Sequence, residues 1–283
     1  MDNGERIVKR AGYVPWVLLT VLTVILLLFA FVAVVSIRPV RSWTTYVRQK
    51  AQFATMYAAI EVFRNEYGSY PPSDANDPTG KPYCGAMKLA EALVGQDLQG
   101  FHSRSTFRRD GLEQNTLTPL YPANPPEGNL KARRGPYMSV KYANPWRLAD
   151  VYGKGKTGLF PEDAYVLCDI YIRKRPGGQE TGMPILYYRA DRSGSAHQPG
   201  DPNNIYNCTD NQALIALGVP GQPGETHPLI DPQRFYLNTQ NDRGESLPQP
   251  RQPEDFILIS AGRDGLYGTA DDVGNFEWKY REQ

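Results

Sequence analysis

The chain has little of what most hydrolases and metalloenzymes display. It holds three histidines and three cysteines in 283 residues, and no G-x-S-x-G, H-E-x-x-H or C-x-x-C occurs in it. His102, His197 and His227 fall in polar segments with no metal-ligand spacing between them. Triad and zinc chemistry therefore have no support, no catalytic residue is nominated, and the chain is expected to be non-enzymatic. An excess of charge is also missing. The 31 basic and 30 acidic residues leave a formal net charge of +1, which removes the electrostatic basis for a nucleic-acid partner. The basic runs Arg104–Arg109, Lys131–Arg134 and Arg173–Arg175 are short and read as solvated edges and turns. "GKGKTG", residues 153–158, has the G-x-G-x-x-G spacing, but Leu159, Phe160 and Pro161 follow where a phosphate-binding helix would start, so it reads as a lysine-rich turn.

Three cysteines permit one disulfide and leave a thiol over. In "AYVLCDIYI", residues 164–172, alternation puts Val166, Cys168, Ile170 and Ile172 on one face, so Cys168 is expected to be a buried thiol. Cys84 and Cys208 each precede a helix-like segment and form the candidate disulfide pair if the compartment is oxidising.

One stretch lacks charge altogether. From Ala11 to Ile37 the chain is almost continuously apolar, and as a helix it reaches roughly 40 Å at 1.5 Å per residue, against a hydrocarbon core of about 30 Å. It is too long for a cleaved secretory signal and its flank has no fitting cleavage site, which makes it a retained membrane anchor. Arg6, Lys9 and Arg10 before it are balanced by Arg38, Arg41, Arg48 and Lys50 after it, so the positive-inside count sets no orientation. Beyond the span, Trp43, Val47, Ala54, Tyr57, Ile60 and Tyr67 keep a three-to-four spacing, so the helix is expected to continue outside the membrane until Gly68, Pro71 and Pro72 stop it, with Pro39 as a possible kink.

Downstream lie almost all of the 26 glycines and 24 prolines. "GAMKLAEALVG" and "TDNQALIALG" read as short helices, the second with Thr209 and Gln212 at capping-box spacing. "AYVLCDIYI", "PILYYRAD", "DFILIS" and "NFEWKY" read as strands, and residues 73–136 and 192–254 as decorated loops. A long helix followed by strands predicts an α+β fold, the helix laid on an antiparallel sheet.

"SAGRDGLYGTADDVGNFEW", residues 260–278, brings Asp264, Asp271 and Asp272 together with Gly262, Gly265, Gly268 and Gly274. Spaced carboxylates on a glycine-rich loop are able to supply the six to eight oxygens that calcium takes. The same residues serve equally as a long hairpin loop turned by Asp-Gly. An EF-hand is excluded, because Leu266 and Gly268 stand where its third and fifth positions need oxygen ligands.

The order of these parts resembles the type IV pilin-like pseudopilins, and among them the major pseudopilins of type II secretion (general secretion pathway protein G-like). A membrane helix runs into "AIEVFRNEYGSYPPS", similar to the family's Y…D-x-G-x-Y-P element at Tyr67, Gly68, Tyr70 and Pro71. "RRGPYMSVKYANPWRLADVY" is similar to its GPY…DPWG…Y segment through Gly135, Pro136, Tyr137, Pro145, Trp146 and Tyr152. Residues 260–278 are similar to its terminal loop at Ser260, Gly262, Asp264, Gly265, Asp271, Asp272 and Asn275. The resemblance implies a basic leader over 1–12 cut between Gly12 and Tyr13, a transmembrane helix over 13–37, its extracytoplasmic continuation over 38–67 and a pilin-like head over 68–283. It also implies a Ca2+ ion held by Asp264, Asp271 and Asp272 with the Ser260 and Leu266 carbonyls, and assembly with other pilin-like subunits through the N-terminal helix, anchored in the cytoplasmic membrane with the head in the periplasm. Val17 stands where the family carries a membrane-embedded glutamate. An uncleaved, single-pass tethered binding module that does not polymerise is therefore the alternative.

Overall fold

A computed structural model describes residues 13–176, 178–241 and 249–278. The chain divides into two compact units, Met1–Val47 and Arg48–Gln283. Helix α1 (Tyr13–Tyr67) begins in the first unit and ends in the second. The leader expected over 1–12, Gly12 included, lies outside the described residues, and Tyr13 is the first residue of α1.

In the first unit Trp16, Leu18, Leu19, Val21, Leu22 and Val24–Leu28 are all exposed. Thr20 and Thr23 donate their hydroxyls to the carbonyls of Trp16 (3.1 Å) and Leu19 (2.7 Å) one turn earlier. The side chains of residues 29–42 are outside the description, and among the described residues no helix is long and apolar enough to cross a membrane.

In the second unit α1 is two-sided. Gln49, Gln52, Phe53, Met56, Ala59, Ile60 and Phe63, spaced at three and four, are buried, while Ala51, Ala54, Ala58 and Val62 are exposed on the opposite side. The helix ends as expected: Gly68 takes φ 76° and its N–H returns to the Arg64 carbonyl (2.7 Å). Helix α2 (Gly85–Val94) follows, buried at every residue. Its N-cap residue Cys84 makes no side-chain cap. Asn211 caps it from far along the chain, accepting from Ala86 N–H (2.9 Å) and donating to the Tyr187 carbonyl (2.7 Å). Glycine is required at position 85, where a Cβ would stand 2.2 Å from that same carbonyl.

The segments up to the central sheet are short: β1 (Phe101–His102), α3 (Glu127–Lys131), β2 (Arg133–Arg134), α4 (Val140–Ala143), β3 (Pro145–Arg147), α5 (Leu148–Tyr152), β4 (Tyr165–Leu167), β5 (Arg173–Lys174) and β6 (Glu180–Thr181). They pair as antiparallel ribbons β1–β2, β3–β4 and β5–β6. The central sheet is β7 (Leu186–Arg189), β8 (Phe256–Ser260) and β9 (Val273–Gly274), with α6 (Gln212–Ile215) and α7 (Pro232–Thr239) between β7 and β8 in sequence. Tyr187 faces Leu258 and Leu186 faces Ile259 in register. Tyr187, Phe256, Leu258 and Val273 go to one core with Phe53, Met56 and Ile60 of α1. Leu186, Tyr188, Ile257 and Ile259 go to another with Leu214, Phe235 and Tyr236. The sheet is covered on both faces, and its strands read as continuous apolar runs for that reason. Fully burying each of Phe53, Met56, Ile60 and Phe63 is worth about 1.5–3 kcal/mol in transfer. The α+β class is therefore observed, as helices with small antiparallel sheets.

Several expectations are corrected. The strand over 164–172 shrinks to Tyr165–Leu167, and Ile172 is 63% exposed. Cys168 keeps its burial because its amide goes to the Asn144 carbonyl (3.0 Å) beyond the strand's end. "NFEWKY" is not a strand over its described part. Asn275 ends the ladder by taking the Leu258 amide on its own Oδ1 (2.8 Å) and giving Nδ2 to the Phe256 carbonyl (3.2 Å). The helix over 209–218 breaks into a turn at Cys208–Asp210, capped by Asn207 rather than Thr209, and α6. Cys84, Cys168 and Cys208 are free thiols, so no bridge joins Cys84 to Cys208 in this structure. The three histidines, which fall in polar segments of the sequence, are buried.

Candidate functional site

The 260–278 stretch is a hairpin connection. Ser260 pairs with Val273 and Ile259 with Gly274, and residues 261–272 close the turn. Gly262 is forced by geometry: its φ is 60°, and a Cβ there would meet the Asp271 carbonyl at 2.2 Å. Behind the loop, Tyr267 donates its amide to His227 Nδ1 (3.2 Å), and Leu229 N–H reaches the Tyr267 carbonyl (2.9 Å). The Trp278 indole closes the other side on the Thr269 carbonyl (2.9 Å).

The aspartates organise the loop's own amides. Asp264 Oδ1 accepts from Leu266 N–H (2.8 Å), Asp271 Oδ2 from Asp264 N–H (2.9 Å) and Asp272 Oδ2 from Gly268 N–H (2.7 Å). One hydroxyl, Thr269 Oγ1, lies within reach of three further acceptors: Asp271 Oδ1 (2.8 Å), the Leu266 carbonyl (3.2 Å) and Asp272 Oδ1 (3.3 Å). It has one proton for the three. Burial pushes Asp272 well above the ordinary carboxylate range. Burial also raises Asp264, whose carboxyl lies beside Asp271. In Asp271 burial acts the same way but is outweighed by hydrogen bonds, the Asp264 amide first, and the group is lowered. The cluster gathers more acceptors than the one hydroxyl serves, and burial holds Asp264 and Asp272 toward their protonated forms.

The two backbone ligands implied by the resemblance differ in fate. The Leu266 carbonyl belongs to this cluster. The Ser260 carbonyl lies on β8 in register with Val273, outside this cluster's hydrogen bonds, and the Ser260 hydroxyl donates to Asp169 Oδ2 (2.7 Å) and accepts from Gly262 N–H (3.2 Å). Among the described residues no group of three or more His, Cys, Asp or Glu side chains is arranged to hold a metal ion. Each aspartate gives one oxygen to a different amide of the loop, and the second oxygens of Asp271 and Asp272 meet at the Thr269 hydroxyl.

Three buried carboxyls were not singled out from the sequence. Asp169 accepts from Ser260, from Met183 N–H (3.0 Å) and from Tyr171 N–H (3.2 Å), and burial pushes it up to about 7. Asp210 accepts from Ser73 Oγ (2.5 Å) and is likewise raised by burial to about 7. Glu91 of α2 accepts from the hydroxyls of Tyr83 (2.7 Å), Tyr121 (2.9 Å) and Ser105 (2.5 Å) and from Gln96 Nε2 (3.0 Å). Four donors saturate its lone pairs, so it ties residues 96–121 to α2 rather than standing ready to move a proton. The one legible signal was "KLAEALV", a helix too apolar for its charges to lie outside. Of the expected solvated basic runs, Arg133 is instead buried on Asp97 (2.9 Å) and over the Tyr121 ring (4.5 Å), and Arg175 is buried as well.

No histidine contacts the Ser260 hydroxyl, whose partner is Asp169. His227 Nε2 lies 3.2 Å from the Gly218 carbonyl and His197 Nε2 3.0 Å from Thr239 Oγ1. His102 Nδ1 accepts from Arg104 N–H (3.2 Å). "GKGKTG" follows helix α5 rather than a strand, and its Gly155 amide goes to Glu162 Oε1 (2.6 Å). Compared with family models, curated proteins and solved structures, the chain has no significant match.

Proposed function

We propose that this protein is a non-enzymatic, membrane-anchored, pseudopilin-like subunit of a type II secretion or type IV pilus-like filament. Its N-terminal span crosses the cytoplasmic membrane once and its head lies in the periplasm. The observation that carries the reading is the two-sidedness of α1. One face is spent on the head, and the opposite face offers Ala51, Ala54, Ala58 and Val62 to the outside, where a surface helix normally places charge. Small side chains at that spacing let another helix approach closely, so the occupant is the same face of neighbouring subunits. The exposed apolar run from Leu18 to Leu28 is far beyond what a monomer leaves in water. Its threonine hydroxyls bond within the helix, as lipid requires.

The terminal loop acts as the head's lock. Three acceptors around the single Thr269 hydroxyl fit a hard cation, and Ca2+ would be held there by Asp271, Asp272 and the Leu266 carbonyl with Asp264 beside them. When bound, the ion supplies positive charge that lets the buried carboxyls ionise.

Val17 supports the second reading, the uncleaved tether, because it leaves no carboxylate to neutralise a neighbour's new amino terminus in the membrane. Mass spectrometry of the protein isolated from membranes separates the two. An N-terminus at Tyr13, methylated, is the expected result; an intact Met1 favours the tether.

A further inference from the structure

Arg173, Lys174 and Arg175 line a cavity of about 300 Å3 together with Val219, Gln222 and Gly265, and no acidic side chain lines it. Arg173 of β5 and Arg175 just beyond the strand both line it, and Arg173 gives one guanidinium nitrogen to the Arg263 carbonyl. No ion pair involves any of the three cations among the described residues. The nearby carboxyl of Asp169 is already taken by Ser260, Met183 and Tyr171. Glu180 stands across the ladder from Lys174 without pairing to it. Arg175 is 4% exposed; its Nε donates to Thr181 Oγ1 (3.0 Å), and its Nη2 is buried with no hydrogen-bond partner.

A guanidinium stays charged in the interior, and burying one without an acceptor is costly. Turning it toward the cavity breaks no hydrogen bond at Nη2. We infer that this cavity binds a phosphate-type oxyanion carried on a small group, with the Arg173 and Arg175 guanidiniums as donors and Lys174 adding charge. Three cations without a carboxylate match a dianion better than a monoanion, and the arginine fork fits its oxygens in pairs. The volume is at the lower end of small-ligand sites. The shared chemistry has two sources, a soluble phosphomonoester and a phospholipid headgroup.

Calorimetry and melting of the detergent-solubilised full chain, titrated with inorganic phosphate against chloride of equal ionic strength, test the site. Saturable one-to-one binding that raises the melting temperature is expected. The double variant Arg173→Gln/Lys174→Gln, whose side chains are not buried, is expected to weaken it at least tenfold, and Lys174→Gln alone, which removes charge but no hydrogen bond of the fold, to weaken it in the same direction. Repeating the titration in nanodiscs distinguishes the sources. A weaker phosphate signal in phosphatidylglycerol than in phosphatidylcholine assigns the headgroup, and equal signals assign the soluble ester. No saturable signal above chloride, or undiminished binding by the double variant, overturns the inference.

Discussion

Glu91 sits where a single side chain holds several segments. Its four donors come from residues 83, 96, 105 and 121, so Glu91→Ala strands them all in the interior. The expected loss is about 3–5 kcal/mol, with Glu91→Gln milder, read from denaturant unfolding of the solubilised chain. The buried histidines and carboxyls give opposing acid responses. Burial holds His197 and His227 down to about 4. The unfolded chain then binds those protons first, and stability present above about pH 6.5 is lost as pH falls toward 4, by roughly 3 kcal/mol per site. Asp169 and Asp210, raised to about 7, act the other way: the folded state keeps the proton longer, so stability rises as pH falls from 7 toward 4. The wild type is therefore expected to have a shallow melting profile between pH 7 and 4. Asp210→Asn, which removes one carboxyl from the balance, steepens the loss on the acid side. A profile unchanged by that substitution would contradict the assignment. Of the carboxyls only Glu91 left a mark, in the apolar run around it; Asp169 and Asp210 were not legible, because a lone Asp carries no mark of the hydroxyls or amides that will surround it.

At the scale of elements, legibility followed periodicity. The end of helix α1 was readable, since Gly68 marks it, but its buried face was not: of the stripe read from the sequence Ile60 is buried, whereas Trp43, Val47 and Ala54 are exposed and Phe53, Met56 and Phe63 face the core instead. Two strands of the central sheet, β7 and β8, were readable as apolar runs, whereas β9 at Val273–Gly274 was not. The failures were elements stopped by side chains rather than by Gly or Pro, such as the ladder that Asn275 ends. Helix α7 was missed although Asp231 caps Gln233 N–H (2.9 Å) just ahead of Pro232, a start signal obscured by the surrounding polar residues. Met56→Ala or Ile60→Ala on the inner face of α1 is expected to cost about 2–5 kcal/mol. Ala54→Glu on the outer face is expected to leave the melt of the head unaltered. For the terminal loop, chelation is expected to lower the melting temperature and calcium, but not magnesium, to restore it, by about 2.7 kcal/mol at a hundredfold excess over Kd. Because Asp272 and Asp264 are held toward their protonated forms, calcium binds more tightly as pH rises. A melt indifferent to chelator would leave the loop held by its own hydrogen bonds.

For the whole molecule, the proposed membrane anchoring rests on a balanced net charge and an uncharged stretch from Ala11 to Ile37. Anchoring restricts subunits to a plane, which raises their effective concentration for side-by-side packing. On the proposed reading, the exposed face of Ala51, Ala54, Ala58 and Val62 is where neighbouring subunits pack. Cysteine crosslinking in native membranes tests this most directly, using Ala58→Cys in a Cys208→Ser background, where the remaining thiols, Cys84 and Cys168, are buried. Mild oxidation is predicted to give crosslinked dimers from the outer-face cysteine and none from an inner-face control at Ala59. A chain that stays monomeric at Ala58 under the same oxidation would contradict assembly through α1.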